Sequence, residues 1–331
     1  MYFVIYDDEM TRTSITKNTT GHPRQWIVIT GGGSGIGRIL VHHFSSSNTK
    51  TNPYNYNVLT CGRRLSALEQ TKTTAPNPDR VFIAQADIAV AEDRDKFVTV
   101  LIEDNTAAVA DVVLLIQNAA IGDPSTTYYD INPSYLEYAF RVNVVAPLAL
   151  VQALRQNLRT NGGGRVLHLG TSIAHRPQKG TLTYGVTKMA FHRLYQQLNM
   201  DESKDDADRT IDDKDKDGRE HGNGKIVCGS ISPGLVDSEG VRDHVEKARS
   251  CNLPHVDYFD RALENNDDHN DNNDHDRRRS TMTTQPEELI EFITEYILPM
   301  EDTKFISQEW RFSEWRDEKN KHRHQQLEKV C

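Results

Sequence analysis

The sequence predicts an α/β fold: a doubly wound parallel sheet with helices on both faces, in a single domain with two acidic insertions. Three observations carry this prediction. Short apolar runs alternate along the chain with longer segments of helical period. The apolar runs are nearly continuous, which is typical of parallel strands buried on both faces. The first run ends in a glycine-rich loop that opens a helix, so the fold begins as a strand–loop–helix unit.

The elements follow in chain order. Strands are predicted at 25–30, 58–61, 81–84, 112–117, 165–169 and 225–231. Helices are predicted at 35–44, 94–103, 134–158, 184–200 and 286–298. The best candidate for a closing strand is the segment 305–315, FISQEWRFSEW, and a basic exposed helix is expected after it.

Charge locates the insertions. The net charge is −9 over 331 residues, of which 37% are hydrophobic. Segment 201–217 holds nine acids against four bases, and 264–279 holds six acids against three arginines. Both lack apolar periodicity, so we expect disordered insertions at about 201–224 and 264–284. The folded domain then spans 23–312, between a polar tail, 1–22, and a charged tail, 313–331.

Composition also excludes several classes of protein. The sequence outside the two acidic segments is nearly neutral, so its charge does not indicate nucleic-acid binding. No run of 18 apolar residues predicts a membrane span, and the acidic N-terminus does not resemble a secretory signal. The cysteines are far apart and form no CxxC motif, which excludes a zinc ribbon or a disulfide framework. We therefore expect a cytoplasmic protein. The four cysteines are Cys61, Cys228, Cys251 and Cys331.

The glycine loop has the TGxxxGxG spacing of a Rossmann-type dinucleotide fingerprint. Glycines let a pyrophosphate approach the backbone, and the following helix N-terminus supplies free N–H groups. The alternative is a loop that serves only tight packing. The loop residues predicted to bind the cofactor are Gly31, Gly33, Ser34, Gly35, Ile36 and Gly37.

Two arginines follow the second strand, where the adenosine ribose of a dinucleotide lies. An acidic residue here would bind the 2′-hydroxyl of NAD, whereas guanidinium groups suit a 2′-phosphate. Arg63 and Arg64 therefore favour NADP(H) over NAD(H). The alternative is that both arginines only open a solvated helix.

Ser172, Tyr184 and Lys188 form the candidate catalytic set. Tyr184 and Lys188 are four residues apart, so on a helix they share one face. A free phenol has a pKa of about 10, and a neighbouring cation lowers it by favouring the phenolate. Ser172, at the carboxyl end of a strand, is placed to donate to a substrate carbonyl oxygen. Taken alone, a YxxxK pair is also found on exposed helices.

The motifs together, in this order, resemble the short-chain dehydrogenase/reductase family over about residues 24–310. The resemblance implies that Asp87 and Ile88 pack on adenine and that Asn143 holds a proton-relay water. The segment Asn118, Ala119, Ala120 stands at the NNAG motif, with Gln117 and Ala120 as departures. Further residues implied to lie beside the nicotinamide are Pro233, Gly234, Val236 and Ser238.

The implied activity is NADPH-dependent reduction of a small ketone or aldehyde, with Tyr184 as general acid and Lys188 on the nicotinamide ribose. The segment after Gly234 is similar to the sepiapterin reductase and benzil reductase-like branch. Homodimers or homotetramers are expected from the resemblance. Two alternatives stay open: a catalytically weak NADP(H)-binding sensor or scaffold, and an interaction protein that works through its acidic insertions.

No metal site is predicted. The segment 213–218 reads DKDKDG, the first half of a calcium loop, but its twelfth position is Gly224. His269 and His275 lie in an Asp/Asn tract, where weak metal binding is the less favoured interpretation. Core or surface roles are expected for His168, His175 and His192.

Overall fold

A parallel sheet of seven strands organises the part of the chain that the computed structural model describes, residues 25–46, 56–101, 110–122, 128–203, 224–253, 256–257, 259 and 283–328. The strand order is β3-β2-β1-β4-β5-β6-β9, and every pairing is parallel. The strands are β1 Gln25–Thr30, β2 Asn57–Gly62, β3 Val81–Gln85, β4 Asp111–Gln117, β5 Arg165–Leu169, β6 Val227–Ser232 and β9 Glu309–Arg311. A separate parallel pair joins β7 Leu235–Val236 to β8 Thr283–Thr284.

Helices cover both faces of the sheet. They are α1 Gly35–Ser45, α2 Leu65–Thr73, α3 Ala91–Thr99, α4 Pro133–Phe140, α5 Ala146–Ala153, α6 Arg155–Arg159, α7 Leu182–Glu202, α8 Glu239–Ser250, α9 Pro286–Glu291, α10 Asp302–Phe305 and α11 Phe312–Glu328. Among the described residues, no helix is both long enough and apolar enough to cross a membrane.

The core has two halves, because successive side chains of a strand point to opposite faces. Ile27 and Ile29 of β1 pack on one face with α1 and with aromatic residues near the C-terminus, including Phe292. Trp26 and Val28 pack on the other face with α3, α5 and α7. Burial on both faces confirms the predicted doubly wound fold and explains why the strands read as continuous apolar runs.

The prediction of one continuous helix over 134–158 is wrong. A π-helical turn, Arg141–Val145, separates α4 from α5, and α6 begins only after Leu154. In this turn the N–H of Ala146 donates to the carbonyl of Arg141, five residues back. Pro147 has no N–H, so it cannot donate to Asn143 in a regular α-helix, which favours a local change of pitch. The helix at 286–298 likewise continues past α9 as a π turn, Phe292–Ile297.

Helix α3 begins three residues before its predicted start at 94. Glu92 and Asp93 lie in its first turn, where negative charge stabilises a helix N-terminus. Asp93 also accepts a hydrogen bond from the N–H of Asp87 at 2.9 Å. Because this first turn is polar, the apolar period of the sequence did not indicate where α3 begins.

The folded core reaches into the ends of both predicted insertions. Helix α7 continues to Glu202, whose carboxylate pairs with the buried guanidinium of Arg159 at 2.8 Å. Thr283 and Thr284, at the end of the second predicted insertion, form β8 and are buried. Trp315, past the predicted domain end at 312, is 8% exposed and packs in the core. The rest of the two insertions, 204–223 and 264–282, and the tail 1–22 lie outside the described residues.

The ion pair of Arg159 and Glu202 gives a test of the fold. The two side chains are 4% and 18% exposed, and removing one partner leaves an uncompensated buried charge. We expect Arg159→Ala to lower the free energy of unfolding in urea by about 2–4 kcal/mol.

Arg242→Ala is the matched control. Its side chain is 54% exposed and also pairs with a carboxylate, that of Asp237. Exposed pairs contribute about 0–1 kcal/mol, so its loss should be small. Equal losses in the two variants would contradict the assignment of Arg159 to the folded core.

Candidate active site

The glycine loop adopts backbone conformations that favour glycine. Gly31 has a φ of +75° and Gly35 a φ of +52°, both in the left-handed region that side chains disfavour. A Cβ atom at Gly37 would lie 2.1 Å from the carbonyl oxygen of Gly31, so the first turn of helix α1 packs closely against the loop that follows β1. The backbone N–H groups of the loop, without side chains over them, thus lie at the N-terminus of α1. This arrangement is typical of sites that bind anions.

A cavity of about 610 Å³ lies along this loop at the carboxyl ends of β1, β2 and β4. It brings together the glycine loop, the two arginines after β2, the segment after β3 and the segment after β4. The predicted cofactor residues that line it are Gly31, Gly33, Ser34, Ile36, Arg63, Arg64, Asp87, Ile88, Asn118, Ala119, Ala120 and Ser238. Those outside its lining are Gly35, Gly37, Tyr184, Lys188, Pro233, Gly234 and Val236.

Asn118 ties the segment after β4 to the glycine loop. Its side-chain Nδ2 donates to the carbonyls of Thr30, at 2.9 Å, and Gly31, at 3.1 Å. The Thr30 hydroxyl in turn accepts from the N–H groups of Asn118 and Ala119. These four bonds fix the floor of the cavity, which gives Asn118 a positioning role.

Tyr138 is a cavity residue that the sequence analysis missed. Its hydroxyl donates to Oδ2 of Asp87 at 2.7 Å and lies 3.5 Å from Nη1 of Arg63. Burial, and then the bond to the Asp87 carboxylate, raise the pKa of Tyr138, so this hydroxyl stays a donor. No motif marks this tyrosine, because it reads as one position of an amphipathic helix.

Lys188 is buried at the end of β5. It is 3% exposed, and its Nζ donates to the carbonyl oxygen of Leu169 at 2.8 Å. The same Nζ lies 5.6 Å from the ring centroid of Tyr184, one turn earlier on α7. Burial lowers the pKa of Lys188 to about 8, and the negative charge of Glu309 opposes this shift. Ser172 is exposed and lies three residues after the end of β5, at the start of a short helical turn.

Asn143 lies in the π turn between α4 and α5 and is 2% exposed. Its Oδ1 accepts from the N–H of Ile121, and its Nδ2 donates to the Ile121 carbonyl and to the Thr187 hydroxyl, each at 2.9 Å. Both amide protons are therefore used within the protein. Asn143 links the segment after β4 to the turn of α7 that carries Lys188.

The segment after β6 returns to the glycine loop. Gly234 has a φ of +76°, and Thr284 donates to the carbonyl of Pro233 at 2.8 Å. Ser238 caps the N-terminus of α8, and a Cβ at Gly35 would lie 3.4 Å from Cβ of Ser238. Pro233 and Gly234 thus lie just before β7, which contains Val236, and Ser238 follows it at the rim of the cavity.

A second group of polar side chains lies beside Lys188. His175, His192 and Glu309, here called the His–Glu cluster, come from the segment after β5, from α7 and from β9. Burial, and then the charges of Lys188 and His192, hold the pKa of His168 well below its usual range. Burial also lowers the pKa of His192. Sequence analysis did not single out Glu309, because a strand of three residues gives no periodic signal.

The buried ammonium predicts a specific dependence of stability on pH. The folded pKa of Lys188, about 8, lies below the ordinary lysine value of 10.5. Between these two pH values Lys188 is protonated in the unfolded chain and mostly deprotonated in the folded one. The free energy of unfolding of the wild type therefore rises with pH through this window. Lys188→Met removes that gain. We expect the stability of wild type minus variant, measured in urea, to rise by about 1–2 kcal/mol from pH 7 to 9.5.

The exposed Lys179→Met variant serves as control. Its difference from wild type should stay constant over the same interval. A constant difference for Lys188→Met as well would mean that the Lys188 ammonium is not buried in the folded protein.

Comparisons with known proteins agree with this geometry. A family model described as short chain dehydrogenase matches residues 25–207. The short chain dehydrogenase penD of Penicillium thymicola is 29% identical over 167 residues, which cover 49% of this chain and 58% of that protein. The match thus spans less than two thirds of the relative's length.

A second relative and a solved structure extend the likeness. The chloroplastic NADPH-dependent aldehyde reductase 2 of Arabidopsis thaliana is 24% identical over 238 residues, 68% of this chain and 79% of that protein. The L-sorbose reductase of Gluconobacter frateurii, solved with NADPH and L-sorbose, shares the fold with a TM-score of 0.62 at 19% identity, over 87% of this chain and 95% of the other. Since the family model covers more than half of the sequence, the chain belongs to the short-chain dehydrogenase family.

Proposed function

We propose that this protein is an NADPH-dependent oxidoreductase that reduces a small ketone or aldehyde to an alcohol. One observation carries the proposal: the ammonium of Lys188 is held at the end of β5 by the carbonyl of Leu169, 5.6 Å from the ring centroid of Tyr184. A buried cation next to a phenol is the environment that a tyrosine needs for proton transfer near neutral pH.

The residues of the cavity fit a dinucleotide. Gly31 and Gly35 carry no side chain and turn the backbone through positive φ, which leaves room for a pyrophosphate at the N-terminus of α1. A volume of about 610 Å³ lies within the range of about 300–1,000 Å³ of small-molecule sites. Arg63 and Arg64 are exposed at the adenosine end, where a 2′-phosphate would bind. Asp87 and Ile88 would face the adenine, and Lys188 the nicotinamide ribose.

In the proposed reaction the bound dinucleotide supplies the hydride. Ser172 and Tyr184 donate hydrogen bonds to the substrate oxygen, which orients the carbonyl and stabilises the negative charge that develops on it. Tyr184 then gives its proton to this oxygen as general acid. Lys188 stabilises the resulting phenolate by charge, and its bond to Leu169 keeps the ammonium in place. Asn143 holds Thr187 and Ile121, so it positions both walls of the site.

The names of relatives support the cofactor and the direction. The Arabidopsis relative is named an NADPH-dependent aldehyde reductase, and the sorbose reductase was solved with NADPH and a sugar ketone. A small carbonyl compound is therefore the proposed substrate. A cytoplasmic homodimer or homotetramer, and membership of the sepiapterin and benzil reductase-like branch, stay predictions.

Two departures from the NNAG motif, Gln117 at the end of β4 and Ala120 after it, bear on the sensor alternative. Gln117 is buried, and its Nε2 donates to the carbonyl of Pro147 at 2.9 Å, so this side chain points toward α5 and not into the cavity. Ala120 does line the cavity. The departure at Gln117 therefore gives no support to a protein that binds the cofactor without turnover.

The catalytic role of Tyr184 is tested by removing its hydroxyl. We expect Tyr184→Phe to lower kcat for NADPH oxidation by about 100- to 10,000-fold, because the proton donor is lost. The dissociation constant for NADPH should stay within about twofold, since the ring and Lys188 remain. Calorimetric titration and the decay of NADPH absorbance measure the two quantities.

Tyr296→Phe is the matched control, because it removes a hydroxyl from the π turn after α9, on the other side of the fold. It should keep wild-type kcat. Turnover by Tyr184→Phe at the wild-type rate would remove Tyr184 from the mechanism.

Cofactor preference is tested at the two arginines. Hydrogen bonds to charged groups contribute about 1.5–3 kcal/mol, so Arg63→Ala with Arg64→Ala should weaken NADPH binding by about 10- to 100-fold. NADH binding should change little and serves as the internal control. An equal loss for both nucleotides would mean that the arginines support only the start of α2.

A further inference from the structure

The His–Glu cluster joins three elements that are far apart in sequence. His175 follows the short helical turn that starts at Ser172, His192 lies one turn after Lys188 on α7, and Glu309 lies on β9. The proposed reaction uses none of the three. Each offers one ligand atom, and these three atoms lie within 4.8 Å of one another.

The distances fit a small cation. Nε2 of His175 lies 3.0 Å from Oε2 of Glu309, and Nδ1 of His192 lies 3.9 Å from Oε1. Around a tetrahedral Zn²⁺, with bonds of about 2.0–2.2 Å, ligand atoms are about 3.3–3.5 Å apart. Movements of about one ångström or less would bring the set to that geometry.

One of the three ligand atoms, Nδ1 of His192, is buried and has no hydrogen-bond partner among the described residues. The amide of Gln196 lies 3.3 Å from the other ring nitrogen, Nε2. The group of Gln196 at this distance is the amide nitrogen, which donates, so Nε2 accepts and Nδ1 carries the ring proton in the metal-free protein. Binding a metal through Nδ1 moves this proton to Nε2, and the Gln196 amide then has to turn so that its oxygen accepts from Nε2–H, as a metal-bound histidine requires.

The carboxylate of Glu309 is held in place from two sides. Its side chain is 5% exposed, and Oε1 accepts a hydrogen bond from the Ser230 hydroxyl at 3.0 Å. A Cβ at Gly170 would lie only 1.8 Å from Oε1, so the glycine that follows β5 makes room for this carboxylate. Among the described residues, no arginine or lysine forms an ion pair with Glu309. The contacts of the buried carboxylate are the two histidines and Ser230.

We propose that His175, His192 and Glu309 bind one divalent transition-metal ion, with Zn²⁺ as the best match. Two imidazoles and one carboxylate form an established zinc ligand set, and a water completes the tetrahedron. His175 is 26% exposed, which leaves an entry path from solvent. The bound ion would cross-link the segment that carries Ser172, the helix that carries Tyr184 and Lys188, and the strand that closes the sheet.

None of the three ligands takes part in a step of the proposed reaction, although the charge of Glu309 favours the charged form of Lys188. Zinc binding and turnover are separate readouts, so failure of the one is distinguishable from failure of the other. The bound ion would fix the relative positions of the three segments that carry its ligands, and zinc itself does not change oxidation state. Without a metal, the carboxylate of Glu309 keeps its hydrogen bond to His175 and lies 3.9 Å from Nδ1 of His192. The experiment separates these two outcomes.

The test uses the full-length protein, stripped with a chelator and then titrated with Zn²⁺, and in parallel with Co²⁺ as a spectroscopic probe. We expect one Zn²⁺ per chain at this site, a rise in melting temperature, and the visible absorption of four-coordinate Co²⁺. His175→Ala and Glu309→Gln should each weaken binding by more than about 100-fold, beyond the 10- to 100-fold cost of losing an outer-shell partner.

The control is a His269→Ala, His275→Ala double variant, which removes the two histidines of the Asp/Asn tract. It should keep the Co²⁺ band and the stabilisation by Zn²⁺. Circular dichroism and NADPH titration show that each variant is folded. The proposal is overturned if the wild type does not bind Zn²⁺, if folded His175→Ala binds it equally well, or if binding is lost only in the control.

Discussion

A buried ammonium at the end of β5 is the constraint on which this active site depends. Removing a charge from water is costly unless hydrogen bonds and opposite charges compensate it. The fold supplies the carbonyl of Leu169 as acceptor, and the negative charge of Glu309 on β9 favours the charged form of Lys188. Helix α7, strand β5 and the closing strand β9 must therefore all be in place for Lys188 to keep its charge.

The Rossmann-type scaffold explains why the site assembles where it does. Parallel strands bring their carboxyl ends to one edge, so residues from widely separated turns meet there. Asn118 joins the glycine loop to the segment after β4, and Asn143 joins that segment to α7. These two amide side chains connect the cavity for the dinucleotide with the Tyr–Lys pair. Each can position the site without contacting a substrate.

Local patterns could predict the strands and the glycine loop, because each has its own signal in sequence. Strands β1 and β5 have the predicted bounds, and β9 falls inside the expected segment. The π turn at Asn143 was not predictable from apolar period, since it depends on a backbone donor missing at Pro147. Tyr138 and Glu309 were missed for another reason: each gains its role from contacts with residues more than 50 positions away.

The cavity and the Tyr–Lys pair are proposed to act together as one reductase site. The most direct measurement is a titration of the full-length protein with NADPH, followed by a panel of aldehydes and ketones while absorbance of the reduced nucleotide is recorded. The account predicts tight NADPH binding, weaker NADH binding, and loss of absorbance with at least one carbonyl compound. Absence of binding by either nucleotide would contradict it, because the glycine loop would then serve only packing.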